Sequence, residues 1–480
     1  MAIPGQTITV PENGLGNVGA TTSIPMVLGC CASSTANTVQ SFSDPTAAAA
    51  ALGQGPLTEA VCAILSEAGG PVKCMRLTGG TAASCGAVTD NAVGGGTGTV
   101  TVAAQVPYDA YEVIIEITTT GTLGTGAFKY SLDDGLTYSE PIIIPSGGTY
   151  LMPDTNVTLT FVAGAGPVFF VDGMTHTFDC IAPLYTVPNL ATGNAVLVLD
   201  TSEWDFVALT GTPLTDTAGA LVFAAVEAHA TSLAAVYRYT RWLMDGGIQA
   251  TAATFGATFA AVDDSRVSVC YSDCDMASSK PITGWAFPKM STVVPVAMRA
   301  AKSLISTDLA RVDDGSLTGV VAINHDERAT EVLDAFRITT LRTWPGRGGF
   351  YITNARLKSA AGSDFRYWQH GRVIDVACAT TQLVQQSLIS AAVRTNSDGT
   401  IDERDAVRYE EKGDTALRAK LTQPTNAEGT PGHVSALSYS ISRVNNVQAT
   451  EAVITVVAAR PLGYGKTIST TIGFALNPGA

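Results

Sequence analysis

No run of 18 or more apolar residues occurs in the 480-residue sequence, and the opening Met1-Ala2-Ile3-Pro4-Gly5 has neither the basic patch nor the apolar stretch of an export signal. Neither a membrane span nor Sec export is therefore expected. Charge is scarce as well, at 15% of residues, and mean hydropathy is +0.22, dry for a soluble monomer and suited to a subunit that buries surface against copies of itself. The net charge of -14 argues against a general nucleic-acid binder, which needs a basic surface to hold phosphates. Histidine is rare. The five residues, 176, 229, 325, 370 and 433, lie far apart and none has a ligand-like partner four residues on, so no metal site is expected.

Cysteine is present without a pattern. The nine residues are an odd number scattered along a long chain, unlike the dense spacing of a small secreted scaffold, so reduced and mostly buried thiols are expected. Cys85 and Cys180 bracket one segment and are candidates to pair under oxidising conditions, a point that spacing alone leaves open. Cys270 and Cys274 have no second pair beside them and read as a buried thiol next to a loop thiol rather than zinc ligands.

What is there falls into blocks. At this length a single core stops growing, so two to four domains are expected. Residues 1–20 read as an extended arm, with Gln6-Thr7-Ile8-Thr9-Val10 alternating between Pro4-Gly5 and Pro11; Ile3, Ile8 and Val10 are its apolar contacts. Ser23 to Gly29 reads as a buried strand. Asp44-Pro45 starts an alanine-rich helix stopped at Gly53, Pro56 opens a second helix, and Pro71 to Leu77 returns as a strand. Composition changes near Thr81. Residues 85–182 are rich in Thr, Val, Gly and Pro, with short period-two runs such as Val113 to Ile117, and hold one Lys against ten acids. After Pro183 the strand-helix pattern resumes, with strands at 206–209 and 267–271 and helices at 217–230, 250–261 and 291–306.

From about 341 a final unit is expected, with helices near 381–394 and 403–421 and strands near 434–443, 451–459 and 467–474; its last strand, with Ile468, Ile472 and Phe474, reads as a second arm. The expected fold class is an α/β (α+β) multidomain body formed by 21–84 and 183–340, an inserted all-β sandwich-like domain at 85–182, a C-terminal α+β domain at 341–480, and extended terminal arms. From residue 341 the chain carries 15 basic and 11 acidic residues, whereas residues 1–340 carry 13 and 31. The C-terminal domain therefore offers a milder, slightly basic face.

Motifs that invite enzymology are incomplete. Ser131-Leu132-Asp133-Asp134-Gly135-Leu136-Thr137-Tyr138 resembles an Asp-box hairpin, in which the Asp caps the turn and the aromatic packs beneath. A sialidase would need repeats and an arginine cluster, and 85–182 contains no Arg. His325-Asp326-Glu327 reads as a polar helix start. Gly463-Tyr464-Gly465-Lys466-Thr467 lacks the first glycine of a phosphate loop and leads into a strand, so nucleotide binding is not expected. No catalytic residue and no cofactor is expected. Arg342, Arg347, Arg356, Arg366 and Arg372 cluster with Trp344, Tyr351 and Trp368; this pattern suits a protein interface, where arginine and aromatics anchor binding.

Four stretches together resemble contractile tail sheath proteins of tailed phages and related injection machines. They are Pro4-Gly5 followed by Ile24-Pro25-Met26-Val27-Leu28-Gly29; Phe42-Ser43-Asp44-Pro45 through Glu67-Ala68-Gly69-Gly70-Pro71 to Arg76; Pro295 to Leu309; and Gly346-Arg347-Gly348-Gly349-Phe350 to Leu357. The resemblance covers roughly 1–80 and 183–480, and departs from the commoner sheath terminus over Arg460 to Phe474. It implies a non-enzymatic subunit of a six-fold helical sheath in a virion tail, assembled in the host cytoplasm, that contracts to drive an inner tube through the host envelope. Further partners implied are baseplate and tail terminator proteins, without nucleic-acid contact or membrane insertion. The arms would add strands to neighbouring subunits' sheets, and Arg347, Arg356, Arg366 and Arg372 are candidate contacts to the inner tube protein. The rival reading is a carbohydrate-binding or adhesive surface protein acting through the β insert.

Overall fold

A computed structural model describes residues 23–79, 83–102, 106–211, 216–247, 251–330, 332–360, 362–422 and 432–466. The expected arms, with Ile3, Ile8, Val10, Ile468, Ile472 and Phe474, lie outside the described residues. The chain divides after Asp375 into two compact units.

The first unit is built on a six-stranded sheet in the order Val267–Cys270, Arg241–Asp245, Phe206–Leu209, Pro25–Gly29, Val72–Arg76, Val39–Phe42. All neighbours are parallel except the last strand, which runs antiparallel to Val72–Arg76. Every residue of four of these strands is buried, as parallel strands covered on both faces require. Successive side chains point to opposite cores. Val27, Cys74, Phe206, Ala208 and Leu243 pack with the helices Pro45–Leu52, Pro56–Ala68 and Val293–Lys302. Met26, Leu28, Val207, Leu209, Trp242 and Met244 pack instead with Val187–Leu199, Asp216–Ala235 and Ala252–Thr258. The helix starts follow local chemistry: Asp44 accepts the Ala47 amide ahead of Pro45, and Thr186 with Asn189 closes a reciprocal cap.

The β-rich segment leaves this sheet after Arg76 and has a core of its own. A three-stranded sheet (Thr149–Met152, Val157–Val162, Thr99–Val102) faces a larger one centred on Tyr111–Thr119, Thr175–Ile181 and Ala127–Ser131. Alternate residues Val113, Ile115, Ile117, Phe128, Leu159 and Phe161 fill the space between them. Its first strand, Ser84–Cys85, pairs antiparallel with its last, Thr175–Ile181, so the segment departs and returns side by side.

The C-terminal division falls later than residue 341. Leu341, Ile352, Ala355, Leu357 and Trp368 belong to the core formed with Pro56–Ala68 and Val293–Lys302, which ties 341–375 to the first unit. In the second unit the helix Glu403–Leu421 packs on a hairpin of Val434–Ile441 and Thr455–Pro461. The helix expected near 381–394 starts earlier, as Trp368–Gln386.

Candidate assembly surfaces

The second unit presents a strand edge. Val434–Ile441 sets Leu437, Tyr439 and Ile441 towards Glu403–Leu421 and leaves Ser435, Ser438 and Ser440 exposed. Helix and strand approach closely at Gly413, where a Cβ would stand 2.7 Å from the Tyr439 ring. Arg443 locks one end: it pairs with Glu403 at 2.9 Å and Glu410 at 2.5 Å, and both carboxylates are held below their usual range chiefly by its hydrogen bonds. Thr455–Pro461 pairs on one side only among the described residues, and Val453, Ile454 and Val456 beside or within it are exposed. An edge strand of this kind has unpaired backbone groups and is a template for a further strand.

The arginine cluster separates by burial. Arg347 lies at the exposed tip of the hairpin Leu341–Trp344/Arg347–Ile352, next to Trp344, whose ring stacks on Arg342 at 3.9 Å. Arg366 is exposed too. Arg356 is committed within the chain: its guanidinium grips Asp334 through bonds of 2.9 and 2.6 Å, which raise its pKa further. Arg372 is 2% exposed, donates to Ser23 Oγ at 2.8 Å and lies over the Phe206 ring, and burial lowers its pKa. As a tube contact Arg372 is thus a correction, because a guanidinium inside the core cannot reach a partner. Sequence clustering could not separate these roles, since what buries Arg372 is contact with Ser23 and Phe206, far along the chain.

The Asp-box is a docking device. Asp133 accepts from Ser131 Oγ, Thr137 N and Thr137 Oγ1 within its hairpin, and its Oδ2 also accepts from the Ala286 and Phe287 amides of the body at 3.1 and 3.3 Å. Beside that loop Trp285 enters the insert's core and meets Tyr111 edge-on, with ring centroids 5.1 Å apart. Lys289 pairs with Glu112 at 2.5 Å across the same boundary. Tyr138 lies against Gly135 of the turn, as the motif requires, yet is 38% exposed, under the Lys129 ammonium. No part of the hairpin's Asp is left over for a ligand, and the carbohydrate reading gains no support from it.

Other polar residues are structural. His325-Asp326-Glu327 forms a turn, not a helix start: Glu327 Oε1 collects the amides of Val332, Leu333 and Asp334, and Asp326 takes Thr343. At the boundary of body and insert, Glu59 and Asp109 line one small cavity with Lys289 and Ser291. Glu59 Oε2 accepts from Ser278 at 2.8 Å, while Glu59 Oε1 and Asp109 Oδ2 are buried with no hydrogen-bond partner. Burial pushes the Glu59 carboxyl up to about 7, and Asp109 rises as well, through burial and then the neighbouring Glu59. Sequence reading missed this pair, which 50 residues of chain separate and only the insert's seating brings together.

These surfaces sit on the fold of contractile sheath assemblies. Across 99% of its length the chain matches 100% of a chain in the anti-feeding prophage baseplate (TM-score 0.54, 11% identity) and 100% of one in that prophage's helical sheath in the contracted state (0.52, 12%). It likewise matches 98% of a chain in an extracellular contractile injection system, the PVC sheath complex in its contracted state (0.51, 9%). In sequence, residues 4–356 match the model described as DUF2586, N-terminal domain, and the chain belongs to the DUF2586 family. No curated protein matches it.

Proposed function

We propose that the chain is the subunit of a contractile sheath, polymerising helically with copies of itself around an inner tube and shortening to drive that tube through an envelope. The observation that carries this reading is the shared fold over essentially the whole length of a helical-sheath chain. The one-sided hairpin supports it: arms from neighbouring copies, through Ile3, Ile8, Val10, Ile468, Ile472 and Phe474, would extend the sheet by main-chain hydrogen bonds that persist while side-chain contacts slide. Such a head-to-tail contact does not close on itself and so propagates as a helix. Contraction is then a passage between two packings and requires neither catalysis nor cofactor.

In this reading rings are six-fold, the β insert faces outward, and baseplate and terminator proteins bound the two ends of a tail assembled in a host cytoplasm. Arg347 and Arg366 are the remaining candidates for tube contact. Electron microscopy of the purified full chain tests the proposal. Rings or tubes are expected, and a monodisperse monomer at high concentration would overturn it.

A further inference from the structure

We infer that Cys85 and Cys180 are a disulfide-forming pair that staples the root of the β insert. Cys85 stands directly opposite Cys180 in the antiparallel pairing of the insert's first and last strands. The next position along fixes which kind of pair this is. The Gly86 amide donates to Asp179 O at 2.7 Å, making 86 and 179 the hydrogen-bonded pair and 85 and 180 the adjacent non-hydrogen-bonded one. At such a position facing Cα atoms approach to about 4.5 Å, within the roughly 4.4–6.8 Å that a disulfide spans. Both side chains turn to the same face, against the insert's core, and the two thiols are hydrogen-bonded to each other.

Accessibility completes the case. Cys180 is buried, whereas Cys85 is only half-buried, so a small disulfide reagent reaches one partner and the other waits behind it. The hydrogen bond from Cys180 lowers the Cys85 pKa and favours its thiolate, whereas burial pushes Cys30, Cys62 and Cys74 up to about 12.

The chemistry is two thiol–disulfide exchanges with glutathione disulfide as oxidant. The Cys85 thiolate attacks one glutathione sulfur, forming a mixed disulfide and expelling one glutathione thiolate, which takes up a proton. The Cys180 thiol then loses its proton and attacks Cys85 Sγ, closing the Cys85–Cys180 bond and expelling the second glutathione. Two cysteines are oxidised and one glutathione disulfide is reduced to two thiols. The closed bond ties the two ends of the insert together regardless of what the chain assembles into.

The test uses the full chain equilibrated with oxidised glutathione, alkylated, and mapped as peptides without reduction. A linked Cys85–Cys180 peptide is expected in the wild type, and in Cys180→Ala a glutathione adduct on Cys85, the first step trapped. Limited proteolysis at the insert's root should slow on oxidation of the wild type and not of the variant. Recovery of Cys85 and Cys180 as separate alkylated thiols, or of a stable glutathione adduct on Cys85 in the wild type, would overturn the inference.

Discussion

Glu59 shows how a single buried group couples the body to its insert. Its folded pKa of about 7 lies above the ordinary 4.5, so the folded chain holds a proton there that the unfolded chain gives up. The associated stability is complete below about pH 4.5 and is lost as pH rises through about 7, a difference on the order of 3 kcal/mol. Glu59→Gln, which keeps an acceptor for Ser278 and removes the titration, should therefore unfold at nearly the wild-type denaturant midpoint at pH 5 and at a higher one at pH 8. Equal differences at the two pH values would refute the assignment. Asp245 lies in the same regime, pushed by burial up to about 7 at the end of a central strand. Glu59→Gln therefore flattens only part of the pH dependence.

At the level of elements, the boundary between insert and body rests on Trp285 and Asp133. Truncating Trp285 empties the site beside Tyr111, and Trp285→Ala should cost about 3–5 kcal/mol of stability in that region, read as faster proteolysis within 83–182 while the sheet core stays protected. Uniform destabilisation of the whole first unit would show that the indole is not a local anchor. Much of this architecture is legible in the sequence. Pro25–Gly29, Phe206–Leu209 and the helices opened by Asp44-Pro45 and Pro56 carry strong local signals of capping and apolar runs. The strand Arg241–Asp245 was not, because it begins and ends in charged residues whose burial depends on partners far along the chain: Arg241 meets Asp375 at 3.1 Å. Val187–Leu199 was missed for a related reason, since Pro188 and Gly193 weaken its helical signal although Pro fits a first turn and Gly193 lets the helix approach Leu77. Among the candidate site residues, exposure decided the roles of the arginines, and exposure is a tertiary property.

For the whole molecule the question is which surfaces recognise other chains. Deleting residues 1–12 should leave a folded protein with an unchanged unfolding transition that no longer elongates, scored by sedimentation and microscopy; tubes of normal length would remove the arm from the mechanism. Charge reversal at Arg347 and Arg366 provides the contrast, since subunits should still polymerise but grip a tube less well. The Thr455–Pro461 strand, paired on one edge only among the described residues, has a cost before any partner arrives, because an open edge welcomes the wrong guest as readily as the right one. It ends in Arg460 and Pro461, a charge and a residue with no amide to donate, so indiscriminate stacking of hairpins would be cut short after a few rungs. A freshly made subunit could thereby stay in solution until a neighbour offers a segment with matching register.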